Sequence, residues 1–164
     1  MDQAIAYGRE HRTRFRTELI DLLRIPSIST APEHAGDVAR AADWLAGHLK
    51  GLGFAVRVEP TDRHPIVRAD WLGAPGAPTL LCYGHFDVQP PEPLELWIRP
   101  PFEPAIEDNV LYARGASDDK GQLMIHIKAV EAILATAGRL PVNAACAQLR
   151  VARRRSRSCL SKAR

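Results

Sequence analysis

Apolar side chains recur along this chain with two distinct periods. Phe15, Leu19 and Leu22 fall at helical spacing among Arg and Glu residues before Pro26, which predicts an amphipathic surface helix ending near Ile25. Val38, Ala42, Leu45, Leu49 and Leu52 step by four and three along one face, and Gly51 and Gly53 mark the end of a second helix. His48 lies beside that stripe; with no second ligand type at a workable spacing, it reads as a packed or solvated histidine rather than a metal ligand. The pattern then shortens to the extended runs Phe54 to Val58, Ile66 to Leu72 and Thr79 to Tyr83, with a turn-rich Gly73 to Pro78 between the last two. The nearly all-apolar Thr79 to Tyr83 predicts a strand buried on both faces.

Gln89 to Pro104 holds six of the thirteen prolines, with Trp97 and Phe102, and predicts an ordered rim loop rather than a central strand or helix interior. A short strand pair over Ala105 to Arg114, turning at Asp108 and Asn109, comes next. Lys120 to Ala137 then carries Leu123, Ile127, Val130 and Leu134 on one helical face, with Gly138 as its stop. Helices alternate with strands, so the predicted class is α/β, with helices packed on a mixed β-sheet.

Composition agrees with a globular domain: of 164 residues, 46% are hydrophobic and 25% charged. The net charge of +3 changes the picture only when it is divided. Seven of the 22 Lys and Arg residues, and no Asp or Glu, lie in Ala144 to Arg164, so residues 1–143 carry 15 basic against 19 acidic side chains, a net of −4. An acidic body with a basic tail does not call for a nucleic-acid or membrane partner, and the tail has no aromatic residue for base stacking. Three cysteines without repeated spacing, Cys82 among them inside an apolar run, suggest a reducing, cytoplasmic setting. No apolar stretch approaches the roughly 18 residues of a membrane span, and no charged segment followed by an apolar one opens the chain as a targeting signal.

Two stretches carry chemistry. Tyr83-Gly84-His85-Phe86-Asp87-Val88-Gln89-Pro90 puts an imidazole and a carboxylate on the same side of the chain where a strand ends. Such a pair suits a metal, the ring binding the ion while the carboxylate orients the ring; it is equally the surface end of an ordinary strand. Asp118 and Asp119, just before the last helix, read either as N-caps favoured by the helix dipole or as carboxylates able to bridge two divalent ions about 4 Å apart.

Together and in this order, Leu81 to Pro90, Trp97 with Pro100-Pro101-Phe102, and Leu111-Tyr112-Ala113-Arg114-Gly115-Ala116-Ser117-Asp118-Asp119-Lys120-Gly121 resemble the co-catalytic zinc exopeptidases. That family includes the carnosine-type dipeptidases, acetylornithine deacetylase, succinyl-diaminopimelate desuccinylase and carboxypeptidase G. The version here is most similar to the dipeptidase branch, and Ile25-Pro26-Ser27-Ile28-Ser29 resembles an early signature of the same family. The resemblance implies a metallopeptidase using two divalent metal ions, Zn first with Mn or Co as alternatives, on a dipeptide or N-acyl amino acid. It makes His85 a ligand of one ion, Asp118 the carboxylate bridging both, and Asp87 the acidic partner that orients His85. It also implies a cis peptide between Asp118 and Asp119, a loop shaped by Arg114, Lys120 and Gly121, and a homodimer for the full-length enzyme.

The resemblance stops after Leu140-Pro141-Val142-Asn143. Where the family continues with a core strand and adjacent glutamates, one a general base and one a ligand, this chain reads Ala144-Ala145-Cys146-Ala147-Gln148-Leu149-Arg150-Val151-Ala152-Arg153-Arg154-Arg155. Glutamate codons read one nucleotide out of register spell arginine (GAG GAG becomes AGG AGG). The expectation is therefore an N-terminal part of a catalytic domain over residues 1–143, and a frameshifted tail over 144–164 outside the fold. Such a truncated chain is expected to be inactive, its sheet edge and helix faces uncovered. Its alternatives are a non-catalytic binding or dimerising module and, behind that, a nucleic-acid binder acting through its basic tail.

Overall fold

A computed structural model describes residues 1–148. The predicted first helix is two, α1 (Asp2–Glu10) and α2 (Arg12–Leu23), broken at His11. The His11 ring stacks on Tyr7 with centroids 3.9 Å apart, and its Nδ1 sits 3.0 Å from the Tyr7 carbonyl, so the side chain competes with the helix for that acceptor. Helix α3 (Ala35–Gly51) buries Val38, Ala41, Ala42, Leu45, Ala46 and Leu49, the stripe expected from the sequence. Helix α4 (Lys120–Ala137) ends at Gly138, whose φ of 69° is the left-handed conformation that glycine adopts without strain.

Among the described residues, six strands form two sheets. β1 (Ala55–Glu59), β2 (Ile66–Trp71), β3 (Thr79–Gly84) and β6 (Asn143–Gln148) make a mixed sheet in the order β1-β2-β6-β3. β6 runs antiparallel to β2 and parallel to β3. β4 (Ala105–Glu107) and β5 (Val110–Tyr112) form the hairpin, its turn at Asp108 and Asn109 having φ values of 49° and 64°. Leu45, Leu49, Val67, Ala69, Leu123, Ile127, Ala144 and Cys146 share one core between α3, α4 and one face of the sheet.

Two expectations change. The boundary placed at Asn143 falls short of the folded region, because β6 runs to Gln148 and lies between β2 and β3. Small apolar side chains suffice there: Ala144 and Cys146 are buried against the helices. Asn143 fixes the start of the strand, its Oδ1 accepting the Ala74 N–H at 3.1 Å and its Nδ2 donating to the Ala77 carbonyl at 3.0 Å. Residues 149–164, the rest of the expected tail, lie outside the described residues.

The second change concerns β3. Expected to be buried on both faces, it is an edge strand with Leu80 57%, Leu81 66% and Tyr83 52% exposed. β6 pairs with it on one side, and among the described residues no element covers its other flank.

A polar cluster joins three helices beneath α1. Lys128 of α4 donates to His48 Nε2 of α3 at 2.7 Å and to Glu131 Oε2 at 2.8 Å, and pairs with Glu18 of α2, while Arg14 of α2 pairs with Glu18 and Glu131. His48 stacks on Trp44 with centroids 5.0 Å apart. Burial and then the Lys128 charge hold His48 below its ordinary value, so it remains a neutral acceptor. Burial works to raise Glu18 and Glu131, yet their hydrogen bonds to Lys128 and Arg14 outweigh it and hold both below the usual carboxylate range.

Leu45→Ala is expected to cost roughly 2–5 kcal/mol in urea unfolding, whereas Leu81→Ala on the open face costs less than about 1 kcal/mol. Equal losses would contradict the exposed placement of β3. A depressed histidine contributes stability above its ordinary pKa of about 6.5 and loses it as the pH falls. The stability difference between the wild type and His48→Gln should therefore shrink between pH 7.5 and 5.5, by no more than about 1.4 kcal/mol per pH unit. Denaturant titrations at both ends of that range check it.

Candidate metal centre

The chain leaves β3 at Gly84 and turns, and the turn is held from three sides. Ser27 Oγ donates to the Phe86 carbonyl at 2.6 Å, and the Val88 N–H donates to the Ser27 carbonyl at 2.9 Å. The His85 N–H donates to Asp119 Oδ2 at 3.0 Å. Gly84 leaves room for this approach, since a Cβ there would stand 3.2 Å from the same Asp119 oxygen.

Asp87 lies behind the imidazole and is 2% exposed. Ser29 Oγ donates to its Oδ2 at 2.5 Å, while Oδ1 has no hydrogen-bond partner and stands 3.3 Å from His85 Nδ1. Nδ1 also lies 3.0 Å from the Asp87 carbonyl oxygen. Both neighbours of Nδ1 accept, so Nδ1 carries a proton and Nε2 faces outward. There it meets Asp118 Oδ1 at 3.0 Å. The Asp87 carboxylate beside Nδ1 raises His85 to about 9, against the opposing effect of burial, and the charged ring donates from Nε2 to Asp118.

The Asp118–Asp119 peptide is cis, as the resemblance implies. Its loop is tightly fixed. Gly115 has a φ of 86°, and a Cβ on Gly121 would lie 1.9 Å from the Ala116 carbonyl oxygen, so only glycine fits at the first turn of α4. Lys120 is buried, and its Nζ donates to the carbonyls of Leu22 at 3.0 Å and Ile25 at 2.7 Å. Burial lowers its pKa to about 7. Arg114 Nη2 donates to the Pro90 carbonyl at 3.2 Å, and its guanidinium lies 5.0 Å over the Trp97 ring. Trp97 in turn donates to the Pro91 carbonyl at 2.7 Å, so the proline-rich loop is fastened to the rim.

The result is a cleft of about 420 Å³ lined by Tyr83, His85, Asp87, Gln89, Arg114, Asp118 and Asp119, among others. His85, Asp87 and Asp118, 31 or more positions apart at the extremes, are thus brought into one site. The outward nitrogen of His85 and a carboxylate oxygen 3.0 Å from it would serve as two ligands of one divalent ion that takes the place of the Nε2 proton, with the carboxylate of Asp87 behind the ring. Two ligands fall short of the four that zinc prefers. The one cluster of three ligand-type side chains among the described residues is elsewhere, at Glu18, His48 and Glu131. There the Lys128 ammonium already occupies the point on which the three converge, which makes it an ion-pair network rather than a cation site.

Sequence reasoning missed Ser29 and Asp119. Ser29 stands 58 residues from the carboxylate it holds, a distance at which spacing carries no signal. The sequence offers Asp119 the same two roles as Asp118, N-cap or bridging carboxylate, whereas its carboxylate binds the backbone of His85.

Residues 81–147 match the model of peptidase family M20/M25/M40. The chain is 34% identical over 131 residues to a cysteinylglycine-S-conjugate dipeptidase of Corynebacterium striatum, covering 78% of this chain and 28% of that protein. It is 38% identical over 117 residues to a succinyl-diaminopimelate desuccinylase of Thiobacillus denitrificans, covering 71% and 28%. The structure of human carnosine dipeptidase 1 superposes with a TM-score of 0.84 at 29% identity, over 90% of this chain and 34% of that one. The chain therefore spans a little over a quarter of the length of these curated relatives. With its motifs, its fold and the matched segment in agreement, the chain belongs to peptidase family M20/M25/M40.

Proposed function

We propose that this chain is the N-terminal part of the catalytic domain of a dipeptidase or related amide hydrolase, with His85 and Asp118 as metal ligands and Asp87 orienting His85. The observation that carries this is the outward Nε2 of His85 facing Asp118 Oδ1 at 3.0 Å, with the buried Asp87 carboxylate behind the ring. His85 and Asp118 would hold divalent ions, Zn first and Mn or Co next, whose chemistry would be to acidify a water and polarise the scissile carbonyl. Asp87 keeps the ring proton on Nδ1, Ser29 keeps Asp87 from turning away, and Asp119 fixes the backbone of His85. Asp118, 81% exposed, projects into the cleft, where its second oxygen is free for the second ion. The substrate class we infer is a dipeptide or N-acyl amino acid, in line with the names of the relatives. The reducing, cytoplasmic setting is part of the same proposal, supported by Cys82 and Cys146 being free thiols.

The glutamates that would act as base and further ligand have no counterpart in Ala144 to Arg155. We infer that this chain binds a divalent ion weakly and does not turn over substrate. The frameshift over residues 144–164 belongs to the same proposal, and nucleotide sequencing around the Asn143 codon tests it: a Glu-rich continuation in another frame is expected. The exposed Leu80, Leu81 and Tyr83 of β3 favour a second reading, a non-catalytic module that self-associates through this edge.

Isothermal titration with Co²⁺ or Zn²⁺ should show binding that His85→Ala abolishes and Asp87→Asn weakens about 10–100-fold. Unchanged affinity in His85→Ala would overturn the ligand assignment. Dipeptide hydrolysis should stay at the metal-only blank; turnover lost in His85→Ala would refute inactivity, and silence with self-association in sedimentation would favour the module. Gly121→Ala should destabilise by about 1–3 kcal/mol or more, since its Cβ overlaps the Ala116 carbonyl, and thermal unfolding measures this.

A further inference from the structure

Cys82 of β3 and Cys146 of β6 are direct partners in the parallel ladder, so their side chains leave the sheet on the same face. Both line a small apolar pocket against α4 with Leu123 and Ile127, and both are free thiols. Adjacent strands lie about 4.7–4.9 Å apart, within the roughly 4.4–6.8 Å that a disulfide spans between Cα atoms. Bonding also requires the Cβ atoms to close to about 3.8 Å, so one strand must shift toward the other. β3 is free to do so: it is hydrogen-bonded along one side only, and its Leu81 and Tyr83 are exposed.

The two thiols differ in access. Cys82 is half-buried, whereas Cys146 is buried, its thiol pushed up to about 12 by burial and by the neighbouring Cys82. An oxidant therefore meets Cys82 first, and Cys146 waits beside it as a protonated partner.

We propose that Cys82 and Cys146 form a reversible dithiol–disulfide site within the sheet, with a peroxide as oxidant. Hydrogen peroxide oxidises the Cys82 thiol to a sulfenic acid and releases one water. The Cys146 sulfur then attacks the Cys82 sulfur; the S–S bond forms, the S–O bond breaks, and the departing hydroxide takes the Cys146 proton as a second water. Two thiols and one peroxide thus give one disulfide and two waters, and a dithiol reductant reverses the change. Cys82 lies three residues before His85, so the cross-link acts on the strand that presents the imidazole to the cleft.

The test treats the full chain with hydrogen peroxide, alkylates it under denaturing conditions, and maps tryptic peptides by mass spectrometry. The expected product is a Cys82–Cys146 peptide pair, about 2 Da lighter than the two reduced peptides, that dithiothreitol separates. In Cys146→Ser, Cys82 should instead be trapped as a sulfenic acid by dimedone. Should that variant fail to fold, the wild-type peptide map decides alone. Cys146 recovered fully alkylated while Cys82 carries a sulfinic acid would overturn the proposal, as would cross-links from Cys82 to Cys159 or to a second copy.

Discussion

A carboxylate removed from water has to be supplied with donors, and the burial of Asp87 is the constraint around which this structure is arranged. The Ser29 hydroxyl donates to one of its oxygens, and the His85 ring stands 3.3 Å from the other. Meeting that need requires the segment after α2 to run beside the end of β3, which Ser27 secures through the Phe86 carbonyl and the Val88 N–H. Once Asp87 is fixed, His85 has one orientation, and its free nitrogen points at Asp118. The chemistry of the cleft follows from a packing requirement.

Helix α4 supplies the remaining order with two buried lysines used in opposite ways. Lys120, at its start, donates to the carbonyls that end α2 and its following turn, replacing helix-terminal hydrogen bonds that water would otherwise make. Lys128, two turns on, is the cation of an ion-pair network with Glu18 and Glu131 and donates to the neutral His48. The first sets the position of the loop that presents Asp118; the second locks α2, α3 and α4 at their far side. A long cationic side chain stands where one might look for a metal, and the metal-compatible geometry lies instead at the strand end.

The periodic parts of the fold were legible in the sequence. The stripe of α3, the limits of α4 and the Asp108–Asn109 hairpin each follow from local rules of spacing and turn chemistry, and the structure keeps them. Apart from the break of the first helix at His11, the two places where it departs are both questions of partners. The apolar run of β3 predicted burial on two faces, yet burial depends on what lies alongside, and the strand is an edge. Ala144 to Gln148 looked too poor in large apolar residues for a core strand, yet the slot between β2 and β3 accepts Ala144 and Cys146 because small side chains fit beneath α4.

The candidate site divides in the same way. By itself the sequence marked His85, Asp87 and Asp118 as candidates, through strand alternation and through the order of motifs that carries the family resemblance, both local properties of the chain. Only the tertiary structure decided that Ser29 would hold Asp87, that Asp119 would bind the backbone of His85, and that His48 would be claimed by Lys128. Those choices join residues 34 to 80 positions apart. Hydrogen bonds over such separations are set by how helices and strands pack, and local spacing carries no record of them.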